Sequence, residues 1–314
     1  MTASRAFPLA VLGGLLAGLL FGAAVTESFG GFILCWMAPL PLYLVGLRLG
    51  PRAVSVAGLA GTMALAAFEP VLGIWFALLI ALPVMALATV AVLAPRDRAA
   101  GMLVMALTGI GLAGFGVAYG VAADQEGGLH GISIAAVQDA LPRWKEMIEG
   151  VAPGLSKIFD LPEEKVAQAG ELLPGMVAAI WMLILAGNGI LAEGALAGFG
   201  GGLASAPAMA SITVPRAMSV GLGAALAVAN FGAGEVAFIG ASLAVIIGVS
   251  LLFGGLAVIH AALARHPARA VLLTVFYAVF FGPTISPMIV ALGVIEQWVG
   301  LRRRLAAAPR QGEE

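Results

Sequence analysis

Long apolar runs with short polar breaks organise this chain. They fall at residues 7–25, 31–47, 53–68, 71–94 and 101–122, then at 172–192, 217–233, 236–262 and 270–298. Each of the first eight approaches the ~20 residues that cross a bilayer core about 30 Å thick. As one helix the last would be roughly 43 Å long, too long for the bilayer unless steeply tilted. Gly282, Pro283 and Pro287 interrupt it, so it divides into two short spans or a re-entrant hairpin. The pattern predicts an all-α, polytopic transmembrane helix bundle of about ten hydrophobic segments.

Residues 124–171 break the pattern, with nine acidic and four basic residues. Ile134, Val137, Leu141, Trp144 and Ile148 recur there at helical spacing, which predicts an amphipathic helix over 132–149 that Pro142 kinks or divides. Its apolar face lies on the protein's outer surface or the lipid interface, or forms a lid over a pocket. Pro162 followed by Glu163 and Glu164 reads as a second helix start leading to the span from Leu172. The expected organisation is a five-helix transmembrane half (1–123), an extracytoplasmic amphipathic loop (124–171), a second transmembrane half (172–301) and a tail (302–314).

Composition agrees: 61% of the 314 residues are hydrophobic and 11% charged, where a soluble domain carries about 25% charged residues. The near-zero net charge hides an asymmetry that sets orientation. With the amino terminus inside, Arg5, Arg48, Arg52, Arg96, Arg98, Arg216, Arg265 and Arg269 are all cytoplasmic, and the short outer turns carry Glu27, Glu69 and Glu235. Arg302, Arg303, Arg304 and Arg310 stay inside only if the last run turns back near Pro283. Both termini are then cytoplasmic, with the first run retained as a span rather than cleaved as a signal peptide. The Arg, Ala and Gly richness points to a bacterium, hence to its cytoplasmic (inner) membrane. Cys35 is the only cysteine, which excludes an intrachain disulfide.

The candidate chemistry is sparse. Ala10, Gly14, Gly18 and Gly22 form a small-residue stripe, for close helix packing or for docking another membrane subunit. Ionisable groups near membrane depth are functional candidates, so Glu27, Glu69 and Glu235 either converge on a cationic or hydrogen-bonding small molecule or are solvated turn residues. Asn188 and Asn230 read as buried amides needing a partner, interhelical or ligand. His260 reads as a span-end residue, and 194–202 as a flexible connection. Prolines at 39, 41, 283 and 287 free backbone groups that protein or a cavity must satisfy. Absence of HExxH, of metal-ligand spacing, of Gly-x-Ser-x-Gly and of an acidic diphosphate cluster predicts no metal, no cofactor and no enzyme. The arginines hug span ends, so nucleic acid is not expected as a partner.

Residues 32–50 (FILCWMAPLPLYLVGLRLG), 254–265 (GGLAVIHAALAR) and 291–305 (ALGVIEQWVGLRRRL) resemble the YybS-like family of uncharacterised bacterial membrane proteins. That family is distantly similar to the S components of energy-coupling-factor transporters and to the rod-shape protein MreD. The resemblance implies an S-component-like core with an outward pocket, where Ala10, Gly14, Gly18 and Gly22 match a stripe that meets a coupling subunit. About ten segments instead of six depart from the S-component pattern. The expected function is a membrane small-molecule binding or transport subunit; the alternative is a non-catalytic structural or assembly protein of the cell envelope.

Overall fold

The structure, a computed structural model, describes residues 3–26, 28–152, 154, 156–157, 160–203, 209–280 and 285–307. Among them every regular element is helical. Seven helical stretches are long and apolar enough to cross a membrane, or eight with one bent pair counted as a single span. Every expected segment is helical, but the number of full spans is lower than ten. The helices Arg216–Phe231 (α10), Arg269–Phe280 (α12) and Ile285–Val299 (α13) have only 16, 12 and 15 residues, roughly 18–24 Å each against a core of about 30 Å. The axes of α12 and α13 diverge by 118°, a bend that a broken span or a re-entrant loop gives. The turn itself, with Gly282 and Pro283, lies outside the described residues.

Contacts divide the chain into two compact units that do not follow its linear halves. The first comprises Met1–Leu107 and Met182–Thr213, the second Thr108–Trp181 and Val214–Glu314. In the first unit, Ala3–Gly22 (α1) has two faces. Leu12, Leu16 and Leu19 are 61%, 49% and 72% free of protein cover, the surface that lipid wets. Ala10 and Ala17 are buried, and the stripe lies against Pro51–Phe68 (α4). A Cβ on Gly14 would sit 2.0 Å from the Ala57 carbonyl oxygen, and one on Gly61 would sit 2.6 Å from the Gly14 carbonyl oxygen. Of its two expected uses, close helix packing and docking another subunit, the stripe serves the first at Gly14 and Gly18.

The second apolar run is two helices, Phe29–Trp36 (α2) and Pro39–Leu49 (α3). Gly50, at φ +96°, turns the chain directly from α3 into α4. Pro70–Phe76 (α5) is joined to Leu82–Leu93 (α6) by one wide π turn at Ala77–Ala81. The wide turn sits just before Pro83, whose ring would otherwise meet the carbonyl four residues earlier. Phe21 and Phe76 meet edge to face at 5.5 Å.

Ala99–Ala122 (α7) and Glu163–Gly198 (α9) each contribute to both units. α9 starts at Glu163, where Pro162, Glu163 and Glu164 were expected to open a helix, and runs through Pro174 unbroken into the span; residues 194–198 are helix rather than connection. Beyond it, Gly200 and Gly201 adopt positive φ. Arg48 donates to the Gly201 carbonyl and Leu203 N–H to the Leu47 carbonyl at 2.7 Å, pinning this turn to the end of α3.

In the second unit, Glu235–Ala262 (α11) is apolar on every side, which marks a central helix; Ile246 and Leu251 are completely buried. Glycines allow close crossings: a Cβ on Gly293 of α13 would meet the Leu251 carbonyl oxygen at 2.0 Å, and one on Gly240 would meet Ala229 N of α10 at 2.5 Å. Thr108 and Ser250, both buried, share a hydrogen bond between α7 and α11. Gly128–Val151 (α8) is the expected amphipathic helix, continuous through Pro142. Its second half stands clear of the protein, with Trp144 and Met147 about half exposed (53% and 54%). Leu301–Ala307 (α14) ends the described chain.

Candidate functional site

Three helix ends of the second unit bring hydrogen-bonding side chains together. Tyr119 stands one turn from the end of α7, His130 in the first turn of α8 and Glu235 at the first residue of α11. Gly127, at φ +75°, opens α8, a left-handed backbone that glycine adopts at little cost. The His130 ring stacks on buried Phe238, centroids 4.7 Å apart and 28° from parallel. Its Nδ1 faces the Glu235 carboxylate at 3.9 Å, too far for a hydrogen bond and close enough for an ion pair when the ring is protonated. The Tyr119 hydroxyl faces the same carboxylate. His130 Nε2 is buried and has no hydrogen-bond partner, a costly state that a bound donor or acceptor would relieve. The Glu235 side chain is 41% exposed, so the carboxylate is open to the surface while His130 Nε2 lies buried.

In the first unit, the amide of Asn188 completes a broken helix. Pro39 has no N–H, and Leu40 N–H turns to the Met37 carbonyl, which leaves the Trp36 carbonyl at the end of α2 without its helical donor. Asn188 Nδ2 donates to that carbonyl at 2.8 Å and to the Ile184 carbonyl at 2.9 Å, while the residue is 2% exposed and its Oδ1 has no partner. Asn188→Leu removes the orphaned oxygen but strands the Trp36 carbonyl again, so it is expected to cost about 1–3 kcal/mol. An unchanged melting temperature in detergent would contradict this.

The remaining expected residues are placed as follows within their own units. Glu27 lies outside the described residues. Glu69 caps α5, its Oε1 accepting from Val71 N–H at 3.3 Å. Asn230 is not buried: it is exposed on α10, and its amide folds back on the Leu226 carbonyl at 2.8 Å. Within its own unit each of Glu69 and Asn230 thus has a local partner. His260, in the last turn of α11, pairs with the Tyr277 hydroxyl at 2.8 Å.

An open depression of about 510 Å³ borders the far half of α8, lined by Pro142, Lys145, Glu146, Glu149, Gly150 and Ser156. Two of its charges are engaged: Lys145 pairs with Asp160, and the Ser156 hydroxyl, then the Gly154 N–H, hold the Glu149 carboxyl below its usual range. Among the described residues no three His, Cys, Asp or Glu side chains gather as metal ligands.

The helices, their lipid-facing leucines and the polar cluster at their ends define a polytopic helical membrane protein. The chain belongs to the family described as "Predicted membrane protein (DUF2232)", which it matches over residues 15–296, in keeping with the YybS-like resemblance. No curated protein and no solved structure matches it.

Proposed function

We propose that this protein is a non-enzymatic small-molecule binding or transport subunit of a bacterial cytoplasmic membrane, both termini cytoplasmic, with Tyr119, His130 and Glu235 as its ligand site. The observation that carries the reading is the buried, unpartnered His130 Nε2 beside a half-exposed carboxylate. A carboxylate, a phenol and an imidazole on an aromatic floor suit a small cationic or hydrogen-bond-donating solute, by charge pairing and by attraction to the ring faces. The distribution of Lys and Arg supports placing this site on the outer side. No cofactor and no nucleic acid enter this reading.

The test is capture from a bacterial metabolite extract on the immobilised full-length protein, with the bound fraction identified by mass spectrometry. One small molecule should be enriched on the wild type and fall at least about tenfold on Glu235→Gln, as losing one charge-assisted bond implies. His130→Phe, which keeps the stacking and removes both nitrogens, should do the same. Equal recovery on wild type and both variants would refute the site.

A second reading, a structural or assembly protein of the envelope, is favoured by the exposed far half of α8 with Trp144 and Met147. It predicts that a depletion strain changes shape while solute uptake is unchanged, and that Trp144→Ser reproduces the defect when Glu235→Gln does not.

A further inference from the structure

The end of α13 carries more positive charge than its own chemistry uses. Glu296 and Arg302 form one closed pair: Arg302 Nε donates to Oε1 at 2.8 Å and Arg302 N–H to Oε2 at 3.1 Å. That carboxylate is thereby consumed. Arg216, exposed at the start of α10, donates to the Gln297 carbonyl at 3.2 Å and lies 5.6 Å from the centre of the Trp298 ring. Arg303 lies over Gly300, so near that a Cβ there would meet its Nη2 at 2.8 Å. Arg304 is exposed beside it, its backbone N–H on the Gly300 carbonyl at 3.3 Å. The Arg216 and Arg303 guanidinium groups, from two helices distant in sequence, thus stand at one helix end with the Arg304 backbone beside them, and among the described residues no carboxylate pairs with any of the three. The dipole of α13 draws cations to this end without supplying a discrete counter-anion.

An apolar strip leads to this cluster. Met288, Ile295 and Trp298 recur at helical spacing on α13 and are 70%, 46% and 60% exposed. Trp298, ring half-bare and one face toward Arg216, is the kind of residue that sits where hydrocarbon meets headgroups.

We infer that this end of the second unit is a binding site for an anionic phospholipid. The headgroup phosphate sits among Arg216, Arg303 and Arg304, and an acyl chain lies along Met288, Ile295 and Trp298. Guanidinium groups bind phosphate through paired N–H donors, and the bilayer around the protein supplies the ligand in place. The strip separates a lipid from a free phosphate, since inorganic phosphate has no use for it.

The experiment is native mass spectrometry of the full chain in neutral detergent, titrated with phosphatidylglycerol and with phosphatidylcholine of the same acyl chains. The wild type should retain phosphatidylglycerol at least about tenfold more than phosphatidylcholine, since each basic group near an anionic headgroup is worth about 1 kcal/mol. Arg216→Gln/Arg303→Gln should abolish the preference. Arg303→Gln/Arg304→Gln, confined to exposed positions, should weaken it with little change in melting temperature. Arg265→Gln/Arg269→Gln removes the same charge between α11 and α12 and should leave it intact. The inference is overturned if the two lipids are retained equally, if the Arg265/Arg269 control loses the preference as well, or if millimolar inorganic phosphate displaces phosphatidylglycerol.

Discussion

Gly14→Leu is expected to be the most damaging substitution in the chain. The obstacle to its side chain is the Ala57 carbonyl, with Ala57 C at 2.7 Å and Cα at 3.0 Å from the added Cβ; backbone in a neighbouring helix cannot rotate away as a side chain can. Overpacking typically costs about 1–3 kcal/mol, and a backbone obstacle belongs at or above the top of that range. Gly293→Leu meets the Leu251 carbonyl at the same 2.0 Å in the other unit and should cost a similar amount. Gly116→Ala in α7 has open space around it and should be neutral or stabilising by up to about 1 kcal/mol, the glycine penalty in a helix. Cys35, the only cysteine and half-buried, supplies the readout. Its rate of labelling by a thiol-reactive dye during a thermal ramp should rise at a lower temperature in both leucine variants and not in Gly116→Ala. Unchanged ramps for Gly14→Leu would mean that α1 and α4 do not cross at this point.

The second large effect is expected from Arg302→Gln. The side chains of Glu296 and Arg302 are only 10% and 20% exposed, and removing one partner of such a pair typically costs about 3–5 kcal/mol because the other charge is left without compensation. Glu296→Gln/Arg302→Gln removes both charges, so it should recover most of the loss; the double-mutant comparison isolates the stranded charge from the packing of the Arg302 stem. Thermal unfolding of the purified variants in detergent checks this, and a double variant no more stable than Arg302→Gln would contradict it.

How far these features were legible in the sequence follows from the kind of signal each one leaves. The stripe of α1 was plain, because small residues four apart survive in any reading of one helix. Which helix it meets was not, since Ala57 and Gly61 sit in a run where nearly every residue is small or apolar. Asn188 and Asn230 look alike from sequence, each an amide in an apolar flank. They part because Pro39 strands the Trp36 carbonyl where Asn188 can reach it, whereas Asn230 finds only the Leu226 carbonyl of its own helix. Glu235 was visible as an acid at a span boundary. His130 and Tyr119 were not, for different reasons. Apolar periodicity starts the amphipathic helix at Ile132, whereas the positive φ of Gly127 starts it at Gly128 and swings His130 onto Phe238. Tyr119 lies in an apolar run where nothing singles out one face. The start of α9 was legible in Pro162, Glu163 and Glu164; that it joins the span from Leu172 as one continuous helix was not, because polarity changes at Leu172 and Pro174 follows, while backbone hydrogen bonds run on through both. The two compact units were hidden for a related reason: α7 and α9 belong to both, and no break in hydropathy marks where one unit yields to the other.

The most direct test of the binding reading is the mass of what the protein carries when purified in mild detergent and released intact into a native mass spectrometer. The account predicts one small, non-lipid adduct at one per chain on the wild type, absent from Glu235→Gln and His130→Phe. A wild-type protein that is bare, or that carries only phospholipid or another envelope protein, would contradict it and leave the assembly reading in its place.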